Sequence, residues 1–248
     1  MDYRIAIPSF KRSKAIKDKT ISFLKRTDVN LDLVDVFISD ENEYNLYKNN
    51  IDVNIIKGKI GCGGNRNFIT NYYKENQKIL FMDDDIKTIS TYINKKTLKE
   101  VKELDLMIKE NFQISLSKNN NLWGIYPVHN AFFMKTNISF SLKYIIGCFY
   151  GVVNNHKKHA FVELEDKEDF ERTIKYFLHD KGVTRFNYIA PNTVYYKEPG
   201  GMQETRTKER VKSSALILGK KYPSLCKVFI SKKGYYEIKF KNLKKIIK

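Results

Sequence analysis

At 248 residues the chain is long enough for one large α/β domain with a substantial core. Its 42% hydrophobic and 13% aromatic content excludes a disordered segment, and no run of about eighteen apolar residues is present to span a bilayer. The formal charge of +17 is uneven: Glu204 to Lys248 holds fourteen Lys or Arg against three Glu, which is +11 of the total. Such a concentration suits a polyanionic partner, either nucleic acid or an anionic membrane surface. A solvated tail on a chain rich in Lys, Asn and Ile accounts for the same excess.

Residues 4–8 read as a buried strand, and this start lacks the charged-then-apolar layout of a signal peptide, so a cytoplasmic location is expected. Ile16, Ile21 and Leu24 give residues 13–25 helical spacing. Residues 33–39 form a second strand, 41–49 a short helix and 53–56 a third strand. Gly61, Gly63 and Gly64 open a helix over 65–74, and the strand 78–82 runs straight into three aspartates. This alternation predicts a mostly parallel sheet with helices on both faces. Leu98, Val101, Leu104, Met107 and Ile108 predict one helix over 97–116. Strands follow at 122–126, 144–153 and 184–190, with an amphipathic helix over 167–178. The basic stretch after Gln203 reads as a helix followed by a hairpin.

Ligands of an open parallel sheet bind beyond the carboxyl ends of its strands. Four features fall there: Pro8-Ser9-Phe10-Lys11-Arg12, Ser39-Asp40, Gly61 to Arg66, and Asp83-Asp84-Asp85. Three consecutive carboxylates repel one another unless a cation or hydrogen bonds compensate. Mg²⁺ or Mn²⁺ held with a diphosphate does so, because such an ion takes one or two carboxylates plus phosphate oxygens. An acidic turn capping the next helix is the plainer reading. The glycine cluster lacks the Gly-Lys-Ser/Thr of a P-loop, yet its position aims backbone N–H groups at an anion, with Arg66 as a charged fork. A simple turn explains it equally well. Glu168-Asp169 opens its helix either as a cap or as a general base for an acceptor hydroxyl. Cys62, Cys148 and Cys226 form no CxxC pair, which excludes a zinc ribbon or disulfide framework, and Cys62 reads as a small loop residue. His156 and His159 sit among lysines in a solvated loop, and His129 and His179 are isolated.

In this order the residues resemble the GT-A glycosyltransferases, Rossmann-like enzymes that use nucleotide-sugars. IAIPSFKR looks like their first strand and donor loop, GCGGNRNFI like their glycine-and-arginine helix start, and FMDDDI like their DxD motif. EDFERTIKYFLHDKG is similar to the acceptor-side helix. The match covers residues 4–203. LWGIYPV, IGCFYG, Arg185-Phe186-Asn187 and Gly200-Gly201-Met202 extend it to a narrower resemblance, to the TET-associated glycosyltransferases of phages and viruses. Those enzymes are implied to add sugar to hydroxymethylated pyrimidines in DNA, in the cytoplasm of a host cell.

The resemblance implies a glycosyltransferase domain over 1–203 and a basic extension, 204–248, packed on it. It implies Mn²⁺ or Mg²⁺ on Asp83 and Asp85, with Asp84 near the ribose. Pro8, Ser9, Arg12, Asp40, Gly61 and Arg66 would surround a nucleotide-sugar, a UDP-sugar in the first instance. Asp169 would be the base, with Glu168 the alternate. Arg206, Lys208, Arg210 and Lys212 would grip DNA phosphates, and the acceptor base would leave the stack. The C-terminal metal-binding His of many relatives has no evident counterpart. A surface glycan or protein acceptor, with the basic tail on anionic lipid, is one rival. A non-catalytic nucleic-acid-binding module is another.

Overall fold

A computed structural model describes residues 3–193 and 199–242. β1 (Tyr3–Ser9) leads into α1 (Ser13–Ile16) and α2 (Ser22–Arg26), joined through one π-helical turn at Lys17–Ile21. β2 (Val34–Ile38), α3 (Tyr44–Asn50), β3 (Asn54–Lys57), α4 (Cys62–Tyr72) and β4 (Lys78–Met82) complete a wound half. Its strands pair in parallel, with Ile7 opposite Val36 and Ala6 opposite Phe81. Ser9 and Asp83 therefore leave the same edge of the sheet.

The second half adds β5 (Thr88–Asn94), β6 (Thr97–Glu100), α5 (Leu104–Leu116), β7 (Leu122–Ile125), β8 (Ile138–Ser139) and β9 (Phe149–Val153). α6 (Glu168–Asp180), β10 (Thr184–Phe186), β11 (Ile189–Asn192), α7 (Lys208–Lys221), β12 (Cys226–Ile230) and β13 (Tyr236–Phe240) follow. The large sheet runs β3-β2-β1-β4-β9-β7-β10-β8, with β9 antiparallel to both neighbours. A small sheet, β11-β5-β6, and the β12-β13 hairpin stand beside it.

Strand alternation sends side chains to two cores, as a sheet covered on both faces requires. Ile5, Ile7, Val36, Leu80 and Trp123 face Phe23, Leu24, Ile108 and Phe112 of the helices on one side. Ala6, Phe37, Ile79 and Phe81 face Ile69 and Tyr73 of α4 and Tyr176 of α6 on the other. A third cluster joins Ala215 and Leu218 of α7 and Ile238 of the hairpin to Leu142 and Ile174. α7 and the β12-β13 hairpin thus pack on Ile174 of α6 through apolar side chains.

Three expectations change. Residues 97–116 are not one helix: Thr97–Glu100 is a strand of the β5-β6 hairpin, and the helix begins at Leu104. Residues 144–148 are irregular, and the strand starts only at Phe149. Residues 184–190 break into two strands of different sheets, because Asn187 turns its amide onto Asn137 and Ser139 at the crossover.

The histidines also pair up. His159 stacks on His179 at 3.7 Å between ring centroids, so His179 is not isolated. Burial first, and the neighbouring ring next, pushes the His159 pKa down to about 4. An unfolded chain protonates this histidine near pH ~6.5. Below that pH the unfolded state binds a proton that the folded state refuses, so this histidine's contribution to stability falls from pH ~6.5 toward 4 and is flat above. Thermal melts across this window are expected to show a shallower decline for His159→Gln than for the wild type.

Candidate functional site

At the carboxyl edge of β1 to β4 lies a cleft of about 330 Å³. Pro8, Ser9, Arg12, Gly61, Arg66, Asp83 and Asp84 line it, which brings together seven of the residues singled out by sequence. Asp40 and Asp85 do not line it. Asp40 accepts from the Asn42 N–H at 2.9 Å and caps a 3₁₀ turn, leaving its neighbour Ser39 on the cleft wall.

Arg12 organises the first wall. Its Nη1 donates to Asp84 Oδ1 at 2.9 Å and to Asp85 Oδ2 at 3.3 Å. Its Nε and Nη2 donate to the carbonyls of Pro199 and Gly200, both at 3.2 Å. Ser9 donates to Asp84 Oδ2 at 2.6 Å and shares a 2.8 Å bond with the Tyr47 hydroxyl. Thr193 donates to Asp85 Oδ1 at 2.6 Å. The Arg12, Asp84 and Asp85 side chains are only 11%, 5% and 11% exposed, so water screens this cluster little. Removing one member of such a buried network leaves its partners' charge uncompensated, at a cost of about 3–5 kcal/mol. Arg12→Ala is expected to lose that much in urea unfolding.

Arg66 organises the second wall. It is buried on α4 and donates to Tyr150 Oη at 2.9 Å, Gly147 O at 3.0 Å and Asp83 Oδ1 at 3.3 Å. Its Nε lies 3.2 Å from Glu168 Oε1, and Arg172 Nη1 lies 3.6 Å from the same oxygen. A Cβ on Gly147 would crowd this junction, meeting Glu168 Oε1 at 3.1 Å, Arg66 Nη2 at 3.4 Å and Asp169 Cβ at 3.6 Å. The end of β4 and the start of α6, distant in sequence, therefore meet around one guanidinium.

The two acids of α6 have different surroundings. Glu168, 7% exposed, is clamped between Arg66 and Arg172. Burial raises its pKa and Asp169 adds to the rise, while the two guanidiniums oppose it. Asp169 is partly exposed and accepts from the Tyr144 hydroxyl and from the Phe170 N–H at 2.9 Å. Burial, then the Asp169 charge, holds the Tyr144 hydroxyl far above its ordinary pKa, so it stays a donor.

Among the described residues no three His, Cys, Asp or Glu side chains gather into a ready-made metal cage. A divalent ion held with a diphosphate needs only one or two carboxylates. Asp83 fits that requirement: its side chain is 36% exposed on the cleft and pairs with Arg66 through one oxygen, Oδ1. Despite that opening, enclosure by the cleft walls strips water from the carboxylate and pushes its pKa up to about 7, opposed by Arg66 and reinforced by Asp85, Asp84 and Glu168. Around the cleft Arg12 pairs with Asp84, and Arg66 pairs with Asp83 and Glu168. Asp85 is turned toward Arg12 and Thr193, away from the cleft.

The glycine cluster takes a carboxylate from the chain itself. Glu165 accepts from the Gly63 and Gly64 N–H groups, each at 3.0 Å, at the first turn of α4. Gly61, at φ 93°, makes the entry, and a Cβ on it would meet Glu165 Oε2 at 2.7 Å. Glu165→Ala is expected to cost about 1–2 kcal/mol in urea unfolding, as loss of a helix cap does. Burial pushes the thiol of Cys62, beside them, up to about 12, above the ordinary range for a cysteine.

Two of the four cations assigned to phosphate are otherwise engaged. Arg206 and Arg210 both reach Asp166, whose side chain is 0% exposed, and Arg210 also lines the cleft. Lys208 and Lys212 lie over the Tyr235 and Tyr236 rings at 5.7 and 5.1 Å. Sequence reasoning missed Tyr47, Tyr144, Glu165, Asp166 and Thr193.

No family model matches this sequence, and no curated protein does. Solved structures match by fold. S. aureus TarS 1–349 in complex with UDP-GlcNAc has a TM-score of 0.57 and 16% identity, over 88% of this chain and 67% of that one. The mannosyltransferase PcManGT from Pyrobaculum calidifontis, in complex with GDP-Man and Mn²⁺, has a TM-score of 0.53 at 10% identity, over 89% and 65%. Glucosyl-3-phosphoglycerate synthase from Mycobacterium tuberculosis, in complex with Mn²⁺, UDP and glucosyl-3-phosphoglycerate, has a TM-score of 0.50 at 10% identity, over 96% and 86%. The chain spans only 40% of a longer TarS structure. The fold is that of the GT-A glycosyltransferases. No helix among the described residues is long and apolar enough to cross a membrane.

Proposed function

We propose that this chain is a metal-dependent glycosyltransferase that moves a sugar from a nucleotide-sugar donor, UDP-linked by preference, to the hydroxymethyl group of a pyrimidine in DNA. One observation carries the donor half: Asp83, Arg66 and the Glu168-Asp169 helix start meet at the ligand edge of a GT-A sheet. Solved proteins of that fold hold UDP-GlcNAc, or GDP-Man with Mn²⁺.

In this reading Ser9, Arg12 and Asp84 hold the nucleoside, with Asp40 at the rim and Pro8 and Gly61 shaping the walls. Asp83 would be the first metal ligand, with Asp85 as the second. A divalent ion held there would supply charge neutralisation for the departing diphosphate. Arg66 keeps Asp83 and Glu168 in register. Asp169 accepts the acceptor's hydroxyl proton as that oxygen bonds to the sugar carbon and the bond to the diphosphate breaks. Tyr144 fixes the orientation of Asp169.

The DNA half rests on the narrower resemblance and on the +17 charge. The test is incubation with hydroxymethylcytosine DNA, a panel of nucleotide-sugars and Mn²⁺, followed by nucleoside mass spectrometry. A mass gain for one donor is expected. If metal and donor bind and no donor gives a gain, DNA is not the acceptor. The reading of a surface glycan or protein acceptor then takes its place.

A further inference from the structure

A second cavity of about 600 Å³ opens between the start of α6 and the β12-β13 hairpin. Tyr144, Phe170 and Phe240 line it with Lys143, Lys239 and Lys241. Tyr144 and Phe170 stack at 4.3 Å between centroids, and Phe240 meets Phe170 edge-on at 5.5 Å. All three rings are half-buried, and all three lysines are exposed. Asp169 does not line the groove but adjoins it, since Tyr144 donates to its carboxylate and Phe170 follows it in sequence.

The hairpin carries an unusual charge pattern. Lys227 and Lys239 stand directly opposite in the antiparallel ladder, both exposed. Like charges in that position destabilise a hairpin. Lys241 lies two residues on, while Glu237, the acid two residues before Lys239, is taken by Lys167 at 2.8 Å. A bound polyanion would relieve this repulsion. Phosphate alone needs no aromatic wall, and stacked duplex bases do not reach one. Cationic side chains beside aromatic faces fit a strand whose bases are unstacked, with phosphates on the lysines and base faces on the rings.

We infer that this groove binds the acceptor as a single strand or an extruded nucleotide, Lys239 and Lys241 taking phosphates and Phe240 with Tyr144 and Phe170 taking a base. The inference rests on the DNA-acceptor reading and gives it a location next to Asp169, in a cavity that shares no lining residue with the donor cleft.

The test uses fluorescein-labelled oligothymidylate, with anisotropy read over a salt series, and inorganic polyphosphate as competitor. Lys239→Gln combined with Lys241→Gln is expected to make the plot of log affinity against log salt shallower by about 1.4, or ~0.7 for each single-strand phosphate that the protein no longer neutralises. Phe240→Leu is expected to weaken binding roughly tenfold with the slope unchanged. UDP binding with Mn²⁺, measured by calorimetry, should be the same in all variants and report intact folding. If the oligonucleotide binds and neither variant weakens it, the groove is wrong while DNA survives as acceptor. If polyphosphate competes equally and Phe240→Leu has no effect, base stacking is refuted. If the wild type binds UDP and Mn²⁺ but no oligonucleotide, the DNA-acceptor reading itself falls and takes the groove with it.

Discussion

Asp83→Asn is expected to remove manganese-dependent UDP binding and to lower donor turnover by about 10²–10³-fold, the scale of losing several kcal/mol of charge stabilisation. The amide keeps the shape of the carboxylate and loses its charge, so it cannot anchor a hard cation. The fold should not suffer. Asp83 shares a crowded acidic neighbourhood with Asp84, Asp85 and Glu168, and Arg66 retains its bonds to Tyr150 and Gly147 when the charge is removed. Calorimetry of UDP with and without Mn²⁺ measures the first effect and donor hydrolysis the second. If the Asp83→Asn variant still binds UDP more tightly with Mn²⁺ than without, the ion is held by some other residue.

Asp169→Asn is expected to leave UDP and Mn²⁺ binding intact while sugar transfer falls by roughly 10²–10⁴-fold, the contribution of a positioned general base. Glu168→Gln should behave differently. Glu168 is 7% exposed between two guanidiniums, so its neutralisation removes the partner of buried charges and appears chiefly as lost stability. Parallel urea melts and transfer assays on the two variants separate base from structural acid. Transfer that survives in Asp169→Asn and vanishes in a still-folded Glu168→Gln would reverse the assignment.

The parallel half of the fold was legible because its signals are local. KILFM is a continuous apolar strand buried on both faces, and the aspartates follow it without a gap. The glycine cluster marked a strand-to-helix junction for the same reason. Residues 97–116 misled because Leu98 and Val101 continue the helical spacing of Leu104, Met107 and Ile108 by coincidence. The run TISTYIN just upstream, rich in β-branched residues, carries the strand signal of this hairpin. Site residues that depend on long-range pairing left no local trace. Glu165 lies 102 and 101 positions from the glycine amides it caps, and Asp166 accepts from Arg210, 44 positions further along the chain. Charge counting treats Arg206 and Arg210 as outward-facing, since a composition cannot reveal a buried carboxylate waiting for them.

That acidic stretch has a bearing on which parts of the chain tolerate altered length. Between residues 163 and 169, Glu163 holds Lys175 and Lys221, Glu165 holds the α4 amides, and Asp166 holds two arginines. Lys167 holds Glu237, Glu168 faces Arg66, and Asp169 takes the Tyr144 hydroxyl. Inserting or deleting a single residue here would offer every one of those partners its neighbour's side chain, undoing several elements in one stroke. The open turn at Gly234, where a Cβ would touch nothing within 4 Å, carries no such constraint and is the natural place to graft a tag or a loop.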